Sequence, residues 1–172
     1  MYGMIKSKLN LVPHDQTWAS DFANEKQRIL LASNLQLVVE HVGSTAIPTV
    51  HAKPILDIAI LCDEANLTEF SQVLGDLDYE FRGNYGDSED HYYAVLDRND
   101  TRLCQIHIYT HKTSDWLCKL TFRDVLSTNE KLALEYNNYK LKLAKIASSK
   151  GEYAEIKSNW LDGFISRVMA QA

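Results

Sequence analysis

Three groups close together in the chain have the side-chain types that handle phosphate: Gly43-Ser44-Thr45, Lys53 and Asp57. A glycine lets the backbone approach an anion, and amides at a helix start point toward it. The hydroxyls of Ser44 and Thr45 add donors, although both residues could equally cap the helix that follows Gly43. Lys53, just before Pro54, could reach a phosphate as a point charge; by residue type alone a solvated surface lysine is an equal reading. Asp57 interrupts an otherwise apolar run, Ile55 to Leu61. An acid there needs a metal, a cation or several donors to offset its lost water. Further on, Leu103-Cys104-Gln105-Ile106-His107-Ile108-Tyr109 alternates with period two. That places Gln105, His107 and Tyr109 on one strand face, opposite Cys104, Ile106 and Ile108. His107 and His41 are candidates for acid, base or ligand, against the commoner role of a hydrogen-bonded core histidine.

The elements that must position these groups are legible in the pattern. Leu35, Leu37, Val38 and Val39 form a β-branched, apolar run that reads as a strand entering the Gly43-Ser44 turn. A segment carrying Pro48 leads into the second strand, Ile55 to Leu61. Upstream, Trp18, Phe22, Ile29 and Leu30 recur at helical spacing, with Asp15 or Thr17 as cap. Downstream, Leu67, Phe70, Val73 and Leu74 predict a second amphipathic helix ending near Gly75. Asp78 to Phe81 reads as a short strand and Arg82 to Asp90 as a polar loop. His91 to Leu96 and Leu103 to Tyr109 read as a hairpin. The last third is helical, with apolar stripes through Trp116–Val125, Leu132–Ile146 and Tyr153–Val168, and with Ser127 and Glu130 as a capping box.

A length of 172 residues suits one domain spanning 1–172. The net charge of −5 and the lack of a basic run argue against a general nucleic-acid or anionic-membrane binder. Cys62, Cys104 and Cys118 have no framework spacing and read as reduced thiols. No segment is apolar enough for a signal peptide or a bilayer span, so a cytoplasmic location is expected. Strand alternation separates Cys104 from His107, which rules out zinc at Cys104, His107 and His111.

The strings Glu40-His41-Val42-Gly43-Ser44-Thr45 and Lys53-Pro54-Ile55-Leu56-Asp57-Ile58 resemble the GrpB family within the nucleotidyltransferase superfamily. The resemblance extends to the Val12-Pro13 start, the string LTFRDVL, the helix with Tyr136 and Lys140, and the last helix with Tyr153 and Lys157. It implies an α/β fold: a nucleotidyltransferase-like mixed sheet flanked by helices, with a helical C-terminal third. It also implies a phosphate site at Gly43, Ser44, Thr45 and Lys53, with Asp57 and His107 as catalytic candidates.

The superfamily generally holds two metals on three carboxylates, two of them from an Asp-x-Asp strand. Here Ile55 stands where the first acid of that pair would be, and Gln105 and His107 stand where a third is expected. Asp87 and Asp90 in the polar loop are candidate replacements, and Arg82 and Arg123 are further phosphate candidates. The leading expectation is a nucleotidyltransferase moving a nucleotidyl group from a nucleoside triphosphate to a small acceptor, with Asp57 holding magnesium. The alternative is a non-catalytic binder of a nucleotide or phosphorylated metabolite; a third reading is a partner subunit. The sequence leaves the oligomeric state open.

Overall fold

In the computed structural model, residues 2–86 and 88–171 are described. Six strands form one mixed sheet: β1 (Met4–Ile5), β2 (Val38–Val42), β3 (Leu56–Leu61), β4 (Glu80–Asn84), β5 (His91–Arg98) and β6 (Thr101–Tyr109). The order is β2-β3-β6-β5-β4, with β3 and β6 parallel and the other neighbours antiparallel. β1 pairs with Thr101 and Arg102 of β6, beyond the point where β3 begins its own ladder at Cys104. The hairpin turn falls at Asn99, which takes a left-handed φ of 52° suited to asparagine. Strand β4 runs on to Asn84, three residues past the expected end at Phe81, because Arg82 and Asn84 project their polar side chains from an edge strand.

The sheet separates two kinds of surface. One face carries Val39, Leu56, Ile58, Ile60, Cys104, Ile106 and Ile108 against α1 (Thr17–Ala32) and α2 (Leu67–Asp76), which contribute Trp18, Ile29, Phe70 and Leu74. The opposite face carries Asp57, Gln105 and His107, since Asp57 pairs with Gln105 and Ala59 with His107. Over that face pack the helices of the last third: α3 (Ser114–Thr128), α4 (Glu130–Ile146) and α5 (Lys150–Met169). Their apolar stripes meet Ile47 and Val50 in a second core containing Leu126, Tyr136, Phe164 and Val168.

Local chemistry sets the helix starts. Asp15 Oδ1 accepts the Thr17 amide at the head of α1 (2.9 Å), and Thr113 and Ser149 cap α3 and α5 through the amides of Trp116 and Glu152. The cap of α4 is Asn129, whose Oδ1 accepts from the Leu132 amide (3.1 Å), not the Ser127–Glu130 box. Ser127 lies within α3 and donates its hydroxyl to the Arg123 carbonyl (2.7 Å). Among the described residues no helix is long and apolar enough to cross a membrane.

Candidate functional site

Strand β2 ends at Val42, and Gly43 turns the chain with φ 70° and ψ −168°, a conformation that residues with a Cβ avoid. The turn brings the Gly43 backbone directly onto Asp57 of β3. A Cβ at position 43 would lie 2.8 Å from Asp57 Cβ, 2.9 Å from its Cγ and closer still to Oδ2. A short 3-10 turn, Ser44–Ala46, follows. Successive residues of such a turn point about 120° apart, so Ser44 and Thr45 diverge. Ser44 lines a cavity of about 510 Å3. Thr45, expected beside it on the phosphate, is 2% exposed, lies outside the cavity lining and hydrogen-bonds His41 Nε2 through Oγ1 (2.9 Å). His41 also stacks on Phe22, and burial lowers its pKa to about 4, so it is a packed, neutral residue.

Asp57 forms part of the cavity floor. Its Oδ1 accepts a hydrogen bond from Gln105 Nε2 (2.8 Å), and Tyr93 OH donates to Gln105 Oε1 (2.5 Å), which fixes the amide orientation. Among the described residues Asp57 enters no ion pair. Burial pushes its carboxyl above the ordinary carboxylate range, against the opposing pull of Gln105, Lys157, Lys119 and Lys53. His107 also lines the cavity. Its Nδ1 shares a hydrogen bond with His91 Nε2 (2.9 Å), and burial holds it far below the usual histidine range. It is a neutral imidazole.

The opposite wall comes from α4 and α5 and supplies what the sheet lacks. Lys140, 2% exposed, donates to Ser44 Oγ (2.7 Å) and to the His51 carbonyl (2.5 Å). Tyr136 OH also bonds Ser44 Oγ (3.1 Å). Lys140 and Lys157 lie 4.7 and 5.9 Å from the centre of the Tyr136 ring, and Lys53 lies 5.1 Å from that of Tyr153. Burial lowers Lys53 to about 8, helped by Lys157 and Lys150. Burial likewise lowers Lys140, against the pull of Tyr136. Burial alone would raise Tyr136, yet Lys140 and Lys157 bring its hydroxyl below the ordinary tyrosine value, and Tyr136 in turn raises Lys157. Lys53, Lys140 and Lys157 all line the cavity and, among the described residues, none is in an ion pair. Lys119, also in the lining, is held by Asp115 at 3.4 Å.

The remaining candidates lie elsewhere. Arg123 bonds Glu40 (2.7 Å), Asp124 (2.7 Å) and the His41 carbonyl (3.0 Å), a structural tie between α3 and β2. Arg82 pairs with Glu80, and Asp90 faces His111 at 3.8 Å; neither lines the cavity. Asp87 lies outside the described residues.

Magnesium asks for near-octahedral oxygen donors. Asp57 brings one carboxylate, with Oδ1 engaged by Gln105 and Oδ2 against Gly43. Among the described residues no three His, Cys, Asp or Glu side chains gather to hold a metal. The strand brings one carboxylate where the superfamily's metal pair takes three, and Lys53, Lys140 and Lys157 share the lining with the other two acids, Asp115 and Asp162.

A family model described as GrpB protein matches residues 8–167. The chain belongs to the GrpB family. It is 32% identical to a UPF0157 protein of Halalkalibacterium halodurans, over 95% of this chain and 84% of that one. The glutamate-rich protein GrpB of Alkalihalophilus pseudofirmus is 26% identical, over 98% of this chain and all of its own (100%). The crystal structure of the conserved protein GrpB from Enterococcus faecalis superposes with a TM-score of 0.84 at 25% identity, covering 94% of this chain and 98% of that one. Terminal uridylyl transferase 4 from Trypanosoma brucei superposes with a TM-score of 0.50 at 11% identity, over 91% of this chain and 53% of its own. At that identity the likeness is one of fold, and the fold is nucleotidyltransferase-like.

Tyr136, Lys140 and Lys157 were missing from the expected site. Their signal was present: Tyr136–Lys140 and Tyr153–Lys157 share the four-residue spacing that sets both partners on one helix face.

Proposed function

We propose that this GrpB protein binds a phosphorylated small molecule of the nucleoside triphosphate type, with Ser44, Lys53, Lys140 and Lys157 holding its phosphates. One observation carries the reading: three lysines that enter no ion pair among the described residues meet Ser44 around a single cavity of about 510 Å3. That volume suits a small ligand. Lys140 is buried and Lys53 and Lys157 are half-buried, with Asp57 the nearby carboxylate for all three, so the cluster has an excess of positive charge that an anionic ligand would balance. The nucleoside class is supported by the fold neighbour, which was solved with bound dUTP.

Nucleotidyl transfer to a small acceptor is the second reading, favoured by Tyr136 at the cavity wall. Its phenolate, favoured by the two lysines beside it, would take the proton of an acceptor hydroxyl and become the neutral phenol. The acceptor oxygen would then bond the α-phosphorus as the bond to pyrophosphate breaks.

The test is thermal denaturation with nucleoside triphosphates and inorganic tripolyphosphate. Ligand at about 100 times its dissociation constant adds about 2.7 kcal/mol, a rise of roughly 5–10 °C for a chain of this size. A melting curve unmoved by any of them would favour the partner-subunit reading. Pyrophosphate release on adding acceptors separates transfer from binding.

A further inference from the structure

We propose that the cavity takes its polyphosphate free of divalent metal, the ammonium groups of Lys53, Lys140 and Lys157 supplying the positive charge that a metal pair supplies in a nucleotidyltransferase. The inference rests on the phosphate-ligand reading above and specifies the ionic form of that ligand.

The arrangement argues for it from both walls. On the sheet side, among the described residues, the cavity is lined by a single carboxylate, Asp57, whose Oδ1 accepts from Gln105 at 2.8 Å and whose side chain lies close against Gly43. On the helix side Lys140 is fixed by two hydrogen bonds, to Ser44 Oγ and to the His51 carbonyl, which leaves one of its three N–H donors for a ligand. Lys157 and Lys53 are held over the rings of Tyr136 and Tyr153 at 5.9 and 5.1 Å, so neither ammonium is a loose surface charge. Asp115 and Asp162 also line the cavity, but Asp115 is held by Lys119 at 3.4 Å, and no three acid, His or Cys side chains gather to hold a metal among the described residues. Lys119 adds no net attraction for metal or phosphate, since Asp115 accompanies it at 3.4 Å.

A triphosphate complexed with magnesium also brings less negative charge to the lysines than the free anion does. Metal and lysines would therefore compete for the same phosphate oxygens, the reverse of the cooperation seen where carboxylates hold the ion.

The experiment is isothermal titration of the full chain with inorganic tripolyphosphate, and separately with ATP, in metal-free buffer and in excess magnesium chloride. Metal-free binding should be the tighter, by about tenfold. Lys157→Met and Lys53→Met should each weaken metal-free binding by about tenfold or more, while Lys145→Met, which removes an exposed charge from the same helical layer, should not. Melting curves report whether each variant is folded; should Lys157→Met fail to fold, the wild-type comparison alone decides. Binding seen only in magnesium would overturn the inference and leave the phosphate reading standing. Absence of binding in both buffers would overturn both.

Discussion

Replacing Gly43 with alanine should be among the most damaging single-methyl changes this protein can suffer. Two separate costs meet there. The backbone, at φ 70° and ψ −168°, is in a region that residues with a Cβ avoid, which costs about 1–3 kcal/mol. The new methyl would also stand 2.8 Å from Asp57 Cβ and 2.9 Å from its Cγ, well inside carbon–carbon contact. Asp57 cannot swing clear without breaking its bond to Gln105, so this overpacking adds about 1–3 kcal/mol. The expected loss is about 2–6 kcal/mol, read from denaturant melts of the full chain. A double-mutant cycle with Asp57→Gly separates the terms. Removing the Asp57 side chain abolishes the clash and leaves the backbone strain, so the coupling energy should be about 1–3 kcal/mol. Two results would refute the reasoning: a Gly43→Ala cost below about 1 kcal/mol, or a cost that is the same in both backgrounds.

Asp57→Asn should leave stability within about 1 kcal/mol of wild type, or raise it, because the Gln105 hydrogen bond survives and no partner cation is stranded. A loss of about 3–5 kcal/mol in denaturant melts would reveal an ion pair that carries Asp57. Lys53→Met and Ser44→Ala should each weaken tripolyphosphate binding by about 1–3 kcal/mol, measured calorimetrically. Ser44→Ala should also destabilise the fold, because it removes an acceptor from the buried Lys140 ammonium. Phosphate affinity should fall as pH rises through about 8, where burial makes Lys53 lose its proton. Unliganded stability carries the opposite sign from this group. Between about 8 and the unfolded lysine value the unfolded chain binds more protons, so Lys53 contributes a gain in stability as pH rises. Titrations across this range that show constant affinity would remove Lys53 from the phosphate site.

The sheet half of the candidate cavity, Ser44, Lys53, Asp57 and His107, could be placed from sequence because its determinants are local. A Gly-Ser turn between two apolar runs, and a lone acid inside the second, carry their meaning within one stretch of chain. Strand alternation likewise put Gln105 and His107 on the face that Asp57 shares. The pairing of Ser44 with Lys140 spans 96 positions, and no period or propensity encodes such a contact. Thr45 shows the reverse failure. A hydroxyl beside Ser44 looked equivalent to it, but the tight 3-10 geometry turned it to His41. The α4 cap moved from Ser127 to Asn129 because α3 continues through Thr128 and leaves Asn129 as the first extended residue.

The two walls of the cavity also have a history in time. During synthesis the chain emerges from its amino end, so β1 to β6 are available to pair before α4 and α5 exist. At that stage Asp57 and Gln105 sit on an uncovered sheet face, wet and inexpensive to keep there. Lys53, Lys140 and Tyr136 are enclosed together only once the last helices have docked, so docking carries their desolvation. A phosphate anion present at that moment would lower the barrier to closing. Refolding of the full chain should then be faster in phosphate than in chloride at matched ionic strength.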